Sequence, residues 1–144
     1  MPPIQILLVE DSPDDILLTE EAFRDAKIAN ELHSVTDGEA AMEFLRGTGE
    51  FVGRHCPDVV ILDLNLPKMD GREVLREIKE DDALKHIPVI VLSTSGAAED
   101  ILDAYEHHVN AYIQKPIDFD EFIRSVRALE EFWLSIVRLP GRAA

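Results

Sequence analysis

Four short apolar runs in this chain are each followed by groups able to handle a hard metal ion or a phosphoryl group. Residues 6–9 (ILLV) lead into Glu10 and Asp11, residues 59–62 (VVIL) into Asp63, residues 88–92 (PVIVL) into Ser93 and Thr94, and residues 111–113 (AYI) into Lys115 and Pro116, one residue further on. Three carboxylates at close quarters repel one another, which raises their pKa values or destabilises the fold unless a cation intervenes. Magnesium suits such a site: it takes hard oxygen ligands, keeps several waters and bridges carboxylates to phosphate oxygens. Asp11 and Asp63 are the expected direct ligands, with Glu10 acting through water. An Asp63 oxygen not on the metal is then free to attack phosphorus and form an aspartyl phosphate. Asp63 is the best-placed acid because it ends the most apolar run. Phosphoryl transfer asks for charge stabilisation more than for acid–base chemistry. Lys115 offers a compact ammonium, Ser93 a hydroxyl, and the backbone after Asp63 and Ser93 further donors. A cis bond at Lys115-Pro116 is one way to aim the lysine inward, although trans is the default for an X-Pro bond.

These groups meet only if the chain carries them to one edge. Apolar runs this short, three of them rich in β-branched residues, read as strands buried on both faces. Residues 31–35 make a weaker fifth. Helical segments lie between them. Ser12 before Pro13, with Asp15 in the third helical position, starts a helix running to about Ala26. Asp37 before Gly38 opens a second, to about Leu45. Asp70 with Glu73 resembles a capping box for a third, to about Lys79, and a fourth spans 99–107. Asp118 with Glu121 caps a fifth that begins near Phe119. Strict alternation of strand and helix predicts a doubly wound α/β fold: a five-stranded parallel sheet with right-handed crossovers and helices on both faces. Ligands collect at the carboxyl ends of such strands. Residues 46–58 (RGTGEFVGRHCPD) form an unusually long connection, read as a surface loop and a possible partner contact.

With 144 residues and 46% hydrophobic content, the chain matches a single domain with one core. A balance of 14 Lys plus Arg against 29 Asp plus Glu gives a formal charge of -15. That charge repels nucleic acid and anionic lipid, so neither is an expected partner. Much of it also serves solubility alone. Cys56 is the only cysteine, which excludes an intrachain disulfide and suits a reducing cytoplasm. No run approaches the roughly 20 apolar residues of a membrane span, and no signal-peptide pattern is seen at the start.

Taken singly, each polar group has an ordinary reading: Glu10 and Asp11 as helix caps, Ser93 as a turn hydroxyl, Lys115 as a solvated charge. Their conjunction at four strand ends does not. The motifs LLVEDSPDD (7–15), VVILDLNLPKMDG (59–71), PVIVLSTSG (88–96) and YIQKP (112–116) make the chain similar to the receiver domain of two-component response regulators, from about residue 4 to 129. The resemblance implies a flavodoxin-like fold that takes phosphate from a phosphohistidine on a sensor kinase. It makes Asp63 the phosphoacceptor and Glu10, Asp11, Asp63 and the Asn65 carbonyl the magnesium ligands. Ser93 becomes the switch hydroxyl, Lys115 the family's lysine and Tyr112 the switch aromatic. Asn65 and Ser95 stand at positions that tune phosphate lifetime. The protein is then no conventional enzyme, but one expected to catalyse its own phosphorylation and dephosphorylation.

Within the family, DLNLPKMDGREVL (63–75), the long loop before Cys56, HVNAYIQK (108–115) and EEFWLSIVRLP (130–140) resemble single-domain regulators serving phytochrome-type photoreceptor kinases. A sensor histidine kinase of that type is the implied partner. Phe119, Phe122, Val126, Leu129, Trp133 and Ile136 recur at steps of three and four, as on one helix face. Residues 1–131 are read as the receiver domain and 132–144 as an apolar extension without a separate output domain. In that extension Phe132, Trp133, Leu134, Ile136 and Val137, with Leu139, crowd more than one face, which predicts a homodimer contact. Other readings are a phosphate sink or a phosphorelay intermediate. More remote is a phosphatase of the haloacid dehalogenase type, which resembles D-x-D-x-T/V after its first strand, whereas here Asp63, Asn65 and Pro67 follow the third. A flavin or nucleotide carrier lacks its glycine-rich loop, and a scaffold with a degenerate site does not fit positions that are all filled.

Overall fold

A strand that is apolar at every position needs a covering layer on each face. In a computed structural model describing residues 3–24, 29–54, 56–115, 118–129 and 131, β3 (Val59–Leu62) is buried along its whole length. It lies at the centre of a five-stranded parallel sheet of order β2-β1-β3-β4-β5. The other strands are β1 (Ile4–Val9), β2 (Asn30–Val35), β4 (Val89–Ser93) and β5 (Ala111–Gln114). Successive side chains of the three inner strands alternate between two cores. Leu7, Val9, Val60, Leu62, Val89 and Val91 face one; Ile6, Leu8, Ile61, Ile90 and Leu92 face the other.

The first core is closed by α2 (Gly38–Arg46) and α3 (Gly71–Glu80) through Ala41, Phe44, Leu45, Val74, Leu75 and Ile78, with Ala104 of α4 (Ala98–Glu106). The second is closed by Ala22 and Phe23 of α1 (Pro13–Arg24), against which α5 (Phe119–Leu129) lies. Every strand is followed by a helix and every connection returns to a parallel strand. The predicted doubly wound fold is therefore the observed one.

Local signals account for the helix starts. The Ser12 hydroxyl accepts the Asp15 N–H at 3.3 Å, Asp37 accepts the Ala40 N–H at 2.8 Å, and one Asp118 oxygen accepts the N–H groups of Asp120 and Glu121 at 2.9 and 3.1 Å. The capping box expected at Asp70 and Glu73 does not form. Asp70 makes no side-chain cap bond, and its carboxylate instead takes the Arg72 guanidinium at 3.3 Å, a charged donor that outcompetes a neutral amide. The connection 46–58 is not wholly irregular: α2 continues through Arg46, and Gly49–Phe51 make one 3-10 turn whose Phe51 ring packs on Phe44 at 5.2 Å.

Among the described residues no helix is long and apolar enough to cross a membrane. Phe132, Trp133, Leu134, Ile136, Val137 and Leu139 lie outside the described residues, as does Pro116 with its peptide bond to Lys115.

Candidate functional site

The chain leaves β1 toward β2 on one side and leaves β3 toward β4 on the other, so the loops after β1 and β3 part and open a crevice at the carboxyl edge. Glu10 and Asp11 follow β1, and Asp63 follows β3. One carboxylate oxygen from each lies within 4.8 Å of the others. Glu10 and Asp63 are buried, at 2% and 8% exposure, while Asp11 faces solvent. Backbone bonds fix both loops to the sheet: Glu10 N–H donates to the Val35 carbonyl and Asp63 N–H to that of Val9, each at 3.0 Å.

Lys115 enters the same crevice from the end of β5 and is 5% exposed. Its three ammonium protons find three acceptors: Glu10 Oε1, Asp15 Oδ2 at 2.8 Å and Asp63 Oδ2 at 3.3 Å. The other oxygen of Asp63 accepts the Asn65 N–H at 3.2 Å. Burial pushes the Glu10 carboxyl from 4.5 up to about 7, with the Asp63 charge acting in the same direction and the Lys115 and Ser12 donors opposing it. Burial alone would lower the Lys115 ammonium, but its bonds to Asp15 and Glu10 and the charges of Glu10 and Asp63 outweigh that and raise it.

One ammonium among four carboxylates leaves the crevice short of positive charge. A hard octahedral cation with oxygens at about 2.1 Å holds them roughly 3 to 4 Å apart. The Glu10, Asp11 and Asp63 oxygens lie within 4.8 Å of one another, slightly wider than that, so donor type and number fit a small divalent cation and a small inward adjustment would bring them to its spacing.

The loop carrying Asp63 into α3 is held tightly. Gly71 N–H donates to the Leu64 carbonyl at 3.0 Å, and a Cβ on Gly71 would stand 2.2 Å from the Asp63 carbonyl oxygen. Only glycine lets α3 begin this close to the acid. Across the crevice, Ser93 is fully buried at the end of β4 and its hydroxyl accepts the Ser95 N–H at 3.3 Å. Tyr112 of β5, half-buried against the first core, donates its hydroxyl to the Ser95 carbonyl at 2.8 Å.

Glu10, Asp11, Asp63 and Lys115 are thus brought together as expected. Ser93, Ser95 and Tyr112 form a neighbouring group bonded to one another, and Asn65 joins through its backbone. Asp15, read from the sequence only as part of a helix start, proves to be a partner of Lys115. The available signal was its position one helical turn after Asp11. The ion pair of Arg72 with Asp100 at 3.1 Å, and the Ser95 hydroxyl on the other Asp100 oxygen at 2.5 Å, had no such signal.

The sequence matches the response regulator receiver domain family over residues 6–127. Response regulator Rcp1 of Synechocystis sp. is 48% identical over 140 residues, covering 97% of this chain and 95% of that protein. The crystal structure of the phosphorylated cyanobacterial phytochrome response regulator RcpA superposes with a TM-score of 0.94 at 48% identity, covering 96% of this chain and 99% of that one. The Mn2+-bound form of response regulator Rcp1 gives a TM-score of 0.94 at 47% identity, with coverage of 96% and 99%. This chain belongs to the response regulator receiver domain family.

Proposed function

We propose that Asp63 accepts a phosphoryl group from a phosphohistidine on a sensor histidine kinase, in a magnesium-dependent reaction that changes the chain's protein contacts. The observation that carries this is the setting of Asp63: a buried carboxylate with Lys115 Nζ at 3.3 Å on one oxygen and the Asn65 amide at 3.2 Å on the other, beside two further acids. An Asp63 oxygen forms the new bond to phosphorus as the phosphorus–nitrogen bond of the donor breaks. The electron pair stays on the imidazole, which takes a proton from solvent. Glu10, Asp11, Asp63 and the Asn65 carbonyl would hold magnesium, which would supply positive charge to the phosphoryl oxygens. Lys115 supplies the chain's own positive charge, kept ammonium by its acidic partners.

Ser93 is the hydroxyl that follows the phosphoryl group, and Tyr112 the ring that follows Ser93 by giving up the Ser95 carbonyl. Asn65 and Ser95, two residues beyond Asp63 and Ser93, tune phosphate lifetime. A phytochrome-type kinase is the favoured partner because RcpA is described as a phytochrome response regulator and is 48% identical to this chain over 96% of this chain and 99% of RcpA. A homodimer built on residues 132–144 fits their apolar composition, and Leu102 and Tyr105 on α4 are further large apolar side chains left exposed. Such a protein works in the cytoplasm, where these kinases present their phosphohistidine.

Intact mass measurement after incubation with acetyl phosphate and magnesium tests the reading. The wild type gains one base-labile phosphoryl group and Asp63→Asn gains none; an unmodified wild type, or an equally modified variant, would contradict it.

A further inference from the structure

Four hydrogen bonds tie Ser95, one of them from the Ala97 N–H to its hydroxyl at 3.3 Å. The Ser95 N–H donates to the Ser93 hydroxyl, its carbonyl accepts the Tyr112 hydroxyl, and its own hydroxyl donates to Asp100 at 2.5 Å. Asp100 lies in the first turn of α4, and its second oxygen takes the Arg72 guanidinium at 3.1 Å. The Ser95 hydroxyl and Arg72 together hold the Asp100 carboxyl below its ordinary range. Arg72 is the second residue of α3, a helix pressed through Gly71 onto the Asp63 carbonyl. The loop between β4 and α4 is therefore anchored, through Asp100 and Arg72, to the same backbone that carries the acceptor.

Two movements required by the function proposed above must work against this anchor. Ser93 approaches the phosphoryl group with Ser95 bonded to it, and Tyr112 leaves only by releasing the Ser95 carbonyl. We infer that Arg72 and Asp100 are positioning residues which, through the Ser95 hydroxyl, hold the β4–α4 loop against the movement of Ser93 toward Asp63 and so slow phosphorylation. This rests on Asp63 being the acceptor. Arg72 and Asp100 are both partly exposed, which limits the effect to a modest factor.

The test is the rate of adduct formation with acetyl phosphate and magnesium, followed by intact mass in the full chain. Arg72→Ala and Asp100→Ala are expected to react about two- to fivefold faster than wild type, with Arg72→Lys near the wild-type rate. In a Ser95→Ala background, adding Arg72→Ala is expected to change nothing further, an epistasis that general loosening of the fold would not produce. Wild-type rates in both single variants, or an equal acceleration by Arg72→Ala with and without the Ser95 hydroxyl, would overturn the inference. A wild type that forms no adduct would instead overturn the acceptor reading beneath it.

Discussion

Glu10 shows how a single side chain registers the demand for a cation. Its carboxyl titrates near 7 because burial outweighs the Lys115 ammonium beside it. The ordinary value for the unfolded chain is 4.5, so Glu10 costs no stability below that pH and lowers stability progressively as pH rises to about 7. In chelator, wild type should therefore lose stability relative to Glu10→Gln between pH 5 and pH 8; parallel urea denaturation midpoints across that range would refute the assignment. The same proton competes with the metal, so magnesium affinity measured by titration calorimetry should be weaker at pH 5.5 than at pH 8. Glu10 itself was legible in the sequence, as an acid directly after an apolar strand. Asp15 was not, since the same residue serves equally well as the third position of a capped helix. Its contact with Lys115, a hundred residues away, exists only once both have been placed.

Helix starts decide how firmly those side chains are held. Gly71→Ala would set a Cβ 2.2 Å from the Asp63 carbonyl oxygen and 2.6 Å from Leu64 Cα, both backbone atoms that cannot turn aside. A loss of about 1 to 3 kcal/mol is expected, together with slower phosphorylation because α3 must back away from the acid. Gly47→Ala is the control: its φ of 67° strains alanine, but no atom lies within 4 Å of the added Cβ, so stability should fall while phosphorylation does not. Removing the Asp118 cap of α5 by Asp118→Ala should cost about 0.5 to 2 kcal/mol in denaturation. The inner strands were readable because they are apolar on both faces. Edge strand β2 (NELHSV) was faint, with only its last residue buried. The misread capping box at Asp70 has a plain cause: the sequence spacing was right, but Arg72 offered the carboxylate a stronger donor.

At the scale of the whole molecule, the parallel sheet with helices on both faces was readable from alternation and the flavodoxin-like fold from family likeness; the strand order, from which the crevice follows, came with the structure. The network from Arg72 to Ser95 could not, because charges on partly exposed helix turns carry no sequence signature of their partner. Each copy bears a formal charge of -15, so self-association works against mutual repulsion. The proposed dimerisation through residues 132–144 should accordingly tighten as ionic strength rises from about 0.01 to about 0.15 M, where the screening length falls from roughly 30 to 8 Å. Sedimentation of the full chain and of a chain ending at Glu131 checks this: association that survives the truncation would remove the extension as the contact.

The central claim is that the phosphoryl group resides on Asp63, and borohydride tests it most directly, because it reduces an acyl phosphate to the alcohol. After treatment with acetyl phosphate and magnesium, reduction followed by peptide mapping should find homoserine at position 63 and at no other aspartate. Homoserine at Asp11 or Asp15, or none in a chain that carries the phosphoryl mass, would contradict the account.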